Sequence, residues 1–132
     1  MIVLDTNILI EFEAHNAELI KFLQNLTKRF LSKPYITSAN YSEFLYGFIK
    51  ESPKKQEKAI EFLEEYKLLN TSKNSSRLLA KIKYELEKKG KMIPIFDVLI
   101  ASIVMDKKAM LITFDEHFKN IEGLEVIIPS KL

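Results

Sequence analysis

The chain has 132 residues, with 20 Lys+Arg against 18 Asp+Glu, a net charge of +2 and no cysteine. At 47% hydrophobic and 29% charged, it has the composition of a folded globular chain, and its length suits one domain. Without cysteine there are no disulfides, thiol nucleophiles or Cys-type zinc sites, and the only histidines, His15 and His117, argue against a His-rich metal site.

Ile2-Val3-Leu4 reads as a short buried strand ending at Asp5, with a helix starting at Thr6-Asn7. Asn16 is placed to cap a second helix whose Leu19, Ile20, Leu23, Leu26 and Phe30 stripe runs to about Lys33, where Pro34 breaks it. Tyr35-Ile36-Thr37 is a second strand, and Ser38 or Asn40 starts a helix with Phe44, Leu45 and Phe48 on its apolar side. Pro53 opens a charged helix as proline can. Leu68-Leu69-Asn70 follows as an edge strand. Leu78, Leu79, Ile82 and Leu86 mark a helix ended by Gly90. A helix from about Pro94 to Lys107, a strand at Met110 to Thr113, a turn at Asp115 to Phe118 and a strand near Val126-Ile127-Ile128 complete the series. The expected fold is α/β: a mainly parallel sheet of about four to five strands with helices on both faces, in one domain over residues 1–132.

No apolar run approaches the ~18 residues of a membrane span. Nor does a basic segment precede Asp5, so neither a membrane anchor nor a signal peptide is expected, and a cytoplasmic location is.

The acids are strongly biased toward Glu; only Asp5, Asp97, Asp106 and Asp115 are Asp. In open parallel sheets ligands bind beyond the carboxyl ends of the strands. Asp5 and Asp115 follow strands, and Glu43 and Asp97 lie in the first turns of helices. Four carboxylates from distant positions can thus open onto one sheet edge. Crowded carboxylates repel, and a hard divalent cation, Mg²⁺ or Mn²⁺, relieves that repulsion. Metal-assisted phosphodiester hydrolysis is the chemistry such a site suits.

Each acid also has a plainer use. Asp5 and Asp115 can cap the turns that follow, Glu43 can pair with Asn40 in a cap, and Asp97 can answer its helix dipole. Asp106, beside Lys107 and Lys108, reads as surface. His117 reads as surface or as a supporting group rather than a ligand, and Phe44, Phe48, Phe62, Phe96 and Phe118 read as core. The Lys/Glu-rich stretch from Lys54 to Glu65 reads as a solvated helix face.

Four fragments occur in order: Ile2-Val3-Leu4-Asp5-Thr6-Asn7, Ser42-Glu43-Phe44 with Tyr46-Gly47, Ile93 to Ala101 around Asp97, and Leu111-Ile112-Thr113-Phe114-Asp115 followed by Phe118. Together they resemble the PIN domain, most closely the VapC-type toxin ribonucleases. The resemblance implies a Rossmann-like sandwich in which Asp5, Glu43, Asp97 and Asp115 hold Mg²⁺ or Mn²⁺ for endonucleolytic RNA cleavage. It implies Asp5 and Asp97 as central ligands, Glu43 as a ligand or proton-handling group, and Asp115 as an outer ligand. Thr6, Asn7 and Thr113 then support the carboxylates. It further implies a homodimer and a small DNA-binding, VapB-like antitoxin. Val98 and Ser102 depart from the family's commoner Ala. Two alternatives remain open: a PIN-fold RNA-binding or RNA-processing protein outside a toxin–antitoxin system, and a haloacid-dehalogenase-type phosphatase. The latter wants an Asp where Asn7 stands.

Overall fold

The structure is a computed structural model that describes residues 1–129. The expected domain 1–132 therefore extends over Ser130 to Leu132, which lie outside the described residues. The elements in chain order are β1 (Ile2–Leu4), α1 (Thr6–Glu13), α2 (Ala17–Phe30), β2 (Tyr35–Thr37), α3 (Ser38–Ile49), α4 (Pro53–Leu63), β3 (Lys67–Leu69), α5 (Lys73–Lys88), α6 (Ile95–Asp106), β4 (Met110–Ile112), a 3₁₀ turn (Glu116–Asn120) and β5 (Glu125–Ile127). The strands form one five-stranded sheet in the order β3-β2-β1-β4-β5. Every pairing is parallel, as expected from strands that alternate with helices.

Strand side chains alternate between the two faces of a sheet, and here each set meets its own layer of helices. Val3, Leu69 and Leu111 pack with Ile82, Leu86, Ile100, Val104 and Phe118 from α5, α6 and the 3₁₀ turn. Ile2, Leu4, Ile36 and Ile112 pack with Ile8, Leu19, Leu23, Phe44 and Leu63 from α1 to α4. The sheet is thus buried on both faces, which is why β1 and β4 are uninterrupted apolar triplets. Truncating either Phe44 or Phe118, both fully buried, carries the ~3–5 kcal/mol cost typical of a large core aromatic.

Helix starts follow the sequence closely. The Asn16 side chain accepts from the Leu19 N–H at 3.1 Å, Ser52 caps α4 with Pro53 in its first turn, and Gly90 leaves α5 at φ +67°. Three expectations are corrected. First, α2 stops at Phe30, not near Lys33. Leu31 turns the chain in the left-handed region (φ 52°, ψ 37°), with its N–H donating to the Thr27 carbonyl, so the helix is over before Pro34. Second, the cap of α3 is Thr37. Its side chain accepts from the Asn40 N–H while the Asn40 side chain accepts from the Thr37 N–H, so the helix starts at Ser38, the first of the two expected starts, and Asn40 does not cap with Glu43. Third, Phe96 is exposed rather than core, as is Ile95 beside it, so this side of the first turn of α6 is left uncovered.

The strand order places a switch point between β1 and β4, from which the chain departs in opposite directions. Asp5 and Thr113 stand at the carboxyl ends of these two strands, where such a switch point forms a crevice.

Candidate active site

The register that pairs Leu4 with Ile112 brings the residues after β1 and β4 side by side, and the Asp5 N–H donates to the Ile112 carbonyl at 2.9 Å. Asp5 is only 3% exposed. One carboxylate oxygen accepts from the Thr6 N–H at 2.8 Å and from the Asn40 amide at 3.3 Å. The other accepts from the Thr113 hydroxyl at 2.6 Å. Burial pushes its pKa above the usual carboxylate range, and these donors only partly offset that. Asp5 therefore does more than cap α1.

Thr6 links the first acid to the second. Its hydroxyl donates to Glu43 Oε1 at 2.7 Å and accepts from the Asn40 amide at 3.1 Å. Glu43, on the small-residue side of α3 with Ala39 and Gly47, has its pKa raised by partial burial and by the charges of Asp5 and Asp115, against the lowering effect of the Thr6 hydroxyl. The Asn7 amide donates to Thr113 Oγ1 at 3.4 Å, and its carbonyl accepts from the Phe114 N–H at 3.3 Å. Asn7 thus ties the loop after β4 to α1. Its polar atoms are spent on the fold, which leaves no acid two residues after Asp5 for a phosphatase.

Asp97, in the first turn of α6, lies 3.0 Å from His117 Nε2. Its pKa is pushed up to about 6, chiefly by burial and then by the charge of Asp5; His117 opposes the shift, and Glu43 and Asp115 add to it. Asp115 precedes the 3₁₀ turn, but its side chain makes no capping hydrogen bond there. Its N–H is held by Thr113 Oγ1 at 3.0 Å, which leaves the carboxylate free to face the crevice. One oxygen each of Asp97 and Asp115 and one nitrogen of His117 lie within 4.8 Å of one another.

The four expected acids are therefore brought to one place in two subsets. Asp5 and Glu43 are joined through Thr6 and Asn40; Asp97 and Asp115 gather with His117. Asp106 is elsewhere, accepting from Ser72 at 2.9 Å and Asn74 at 2.7 Å. A cavity of about 560 Å³ between α2 and the sheet, lined by Leu4, Phe12, Leu23, Lys28 and Tyr66, includes none of the four.

Two neighbours were not expected. Asn40 is fully buried and serves Asp5, Thr6 and the α3 cap at once; its place one helical turn before Glu43 was the only signal in the sequence. His117, read as surface or as a supporting group, sits against Asp97 with its side chain about one-third exposed.

The donor set fits a divalent cation. Asp97, Asp115 and His117 offer donors within 4.8 Å of one another, and the charges of Asp5 and Glu43 act on Asp97; among the described residues no Lys or Arg lies within ion-pair distance of any of the four acids, the ion pairs there being Lys55–Glu51, Lys83–Glu87, His117–Asp97 and Lys119–Glu116. One buried nitrogen, His117 Nε2, has no hydrogen-bond partner among the described residues, although Asp97 Oδ2 lies 3.0 Å away.

A Rossmann-like parallel sheet with carboxylates at its switch point defines a class, and comparison with known proteins gives the family. The family model of the PIN domain matches residues 2–124, and the chain belongs to the PIN domain family. Solved structures agree with this fold. A chain of VapBC2 from Rickettsia felis, solved bound to a DNA fragment from their promoter, is 28% identical, with 97% of this chain and 98% of that chain covered and a TM-score of 0.86. A chain of VapBC-1 from nontypeable Haemophilus influenzae is 25% identical, with 97% and 98% covered and a TM-score of 0.84. FitAcB from Neisseria gonorrhoeae shares the fold at 23% identity over the full length of both chains, with a TM-score of 0.83. The comparison with curated proteins gave no match. Among the described residues no helix is long and apolar enough to cross a membrane.

Proposed function

We propose that this single-domain chain is a Mg²⁺- or Mn²⁺-dependent endoribonuclease that hydrolyses RNA phosphodiester bonds. We also propose that it is the VapC-type toxin of a pair whose second member is a VapB-like antitoxin, and that it works as a cytoplasmic homodimer. The observation that carries the nuclease reading is the group of carboxylates Asp5, Glu43, Asp97 and Asp115 at one sheet edge, with no Lys or Arg among the described residues in ion-pair distance of them. A structural ion-pair network would supply its own cations; this arrangement leaves that place for a metal and a phosphate. The toxin reading is supported by likeness to chains from VapBC complexes.

In this reading Asp5 and Asp97 hold the ion, with Asp115 as an outer ligand. Bound there, Mg²⁺ or Mn²⁺ supplies Lewis-acid polarisation of the phosphodiester and stabilises the leaving oxygen. The protein supplies the rest. Thr113, Thr6 and Asn40 fix both oxygens of Asp5, so the ligand is oriented before the substrate arrives. Glu43, raised in pKa and steered by the Thr6 hydroxyl, is placed to take the proton of an attacking water. Lysines on the surface neutralise phosphates without the bidentate geometry of arginine.

The test incubates the purified protein with structured RNAs in Mg²⁺, in Mn²⁺ and in EDTA. Cleavage is expected only with metal, and it is expected to be lost in Asp5→Asn and Asp97→Asn. Cleavage in EDTA, or unchanged in both variants, overturns the mechanism. Growth arrest on expression, relieved by the neighbouring antitoxin gene, tests the toxin assignment separately.

A further inference from the structure

We infer that His117 is a nitrogen ligand of this metal site and that it tilts the site toward Mn²⁺ over Mg²⁺. The inference rests on the metal-nuclease reading above and adds to its carboxylates a residue that reading does not use.

The argument begins with position. His117 lies in the 3₁₀ turn directly after Asp115, and that turn is anchored by the fully buried Phe118. The imidazole packs against the Phe118 ring at 4.8 Å between centroids, which fixes its orientation toward α6. Nε2 is buried and has no hydrogen-bond partner, an uncommon and costly state for a ring nitrogen. It lies 3.0 Å from Asp97 Oδ2. Two donors at right angles on an octahedral ion with bonds of ~2.1 Å are separated by about 3.0 Å. The pair therefore already has the spacing of adjacent ligands. Asp115 offers a third donor, all three within 4.8 Å of one another.

Chemistry then sets the preference. Mg²⁺ keeps almost exclusively to oxygen donors and water, whereas Mn²⁺, which also favours oxygen, accepts an imidazole nitrogen more readily. An all-carboxylate site would bind either ion through similar contacts. A site with one neutral imidazole nitrogen gains a bond that Mn²⁺ uses well and Mg²⁺ uses poorly. A histidine that only held Asp97 in place would be hydrogen-bonded to it, and His117 Nε2, 3.0 Å from Asp97 Oδ2, is not.

The test uses the full chain with Mn²⁺ and Mg²⁺ alone, in the absence of RNA. Pulsed EPR of the Mn²⁺ complex is expected to show coupling to a histidine nitrogen that changes on ¹⁵N-histidine labelling and vanishes in His117→Ala. By calorimetry, His117→Ala and His117→Gln are expected to lose about tenfold in Mn²⁺ affinity and less than twofold in Mg²⁺ affinity, the lower end of the range for altered metal surroundings. Cooperative unfolding of both variants in EDTA shows that they fold. Mn²⁺ binding that depends on Asp5 and Asp97 but shows no nitrogen coupling overturns this inference and leaves the nuclease reading standing, as does an equal loss for both ions. No Mn²⁺ binding at all overturns both.

Discussion

Thr113 and Asp5 face each other across the β4–β1 pair, and the Thr113 hydroxyl donates to Asp5 Oδ2 at 2.6 Å. The same oxygen of Thr113 accepts from the Asp115 N–H at 3.0 Å and the Asn7 amide at 3.4 Å. One fully buried hydroxyl thus connects β1, α1 and the loop that carries the fourth acid.

Thr113→Val keeps the shape and removes this donor. A hydrogen bond to a charged group contributes ~1.5–3 kcal/mol, so a loss of that size at neutral pH is expected in urea unfolding. The hydroxyl lowers the Asp5 pKa, and without it the carboxyl rises further. The deficit is therefore full where Asp5 is ionised and shrinks in acid as the carboxyl takes up a proton. An undiminished deficit at low pH would mean the bond serves packing rather than charge.

Asn40 gives the second prediction. Asn40→Ala removes the acceptor of the Thr37 N–H and the donor to Asp5 and Thr6, at a cost of about 2–3 kcal/mol. Asn40→Asp keeps the cap acceptor but sets a carboxylate 3.3 Å from Asp5 Oδ1. The Asp variant is expected to be the less stable of the two in EDTA and to recover more of its melting temperature in millimolar Mn²⁺. Equal recovery of both would contradict a cation site beside Asp5.

What the sequence disclosed here depended on how local the cause was. Asp5 was legible because it directly follows the apolar triplet Ile2-Val3-Leu4, and Asp115 because it lies three residues beyond Met110-Leu111-Ile112; a parallel sheet puts such positions at one edge. Asn16, Pro53 and Gly90 were legible because their partners lie within one turn. Asn40 was not: its amide acts on Asp5 and Thr6, 35 and 34 positions away, and only the fold brings them together. His117 was hidden for the same reason, since its distance to Asp97 is set by the packing of the 3₁₀ turn on α6. Phe96 misled because an apolar residue in a helix signals burial, while its exposure depends on where that helix begins relative to the sheet. Leu31 broke a rule outright, taking a left-handed conformation that Gly or Asn usually fills.

That exception is itself testable. Leu31 is 91% exposed at φ 52°, so its side chain contributes little packing while the backbone is strained. A left-handed non-glycine residue costs ~1–2 kcal/mol, and the greater freedom of glycine in the unfolded chain returns ~0.5–1 kcal/mol of that. Leu31→Gly is expected to stabilise the protein by about 0.5–1 kcal/mol in urea unfolding. Destabilisation instead would show that the leucine side chain is packed in solution.

Asp97 makes a prediction of the opposite kind for the metal-free protein. Its pKa is 3.8 in the unfolded chain and about 6 when folded, so the folded state holds the proton more tightly. Its contribution to stability is complete below pH 3.8 and is lost as pH rises to about 6. Asp97→Asn removes that dependence. In EDTA at pH 7 the variant is expected to exceed the wild type by about 1–2 kcal/mol, below the ~3 kcal/mol that ~1.4 kcal/mol per unit gives for a shift from 3.8 to about 6, because solvent screens part of the charge. At pH 4 the two should converge. Millimolar Mn²⁺ at pH 7 should reverse the order, since it stabilises only the protein that binds it. A wild type more stable than Asp97→Asn in EDTA at pH 7 would mean that this carboxylate is held by the fold itself, and that no cation is needed to keep it there.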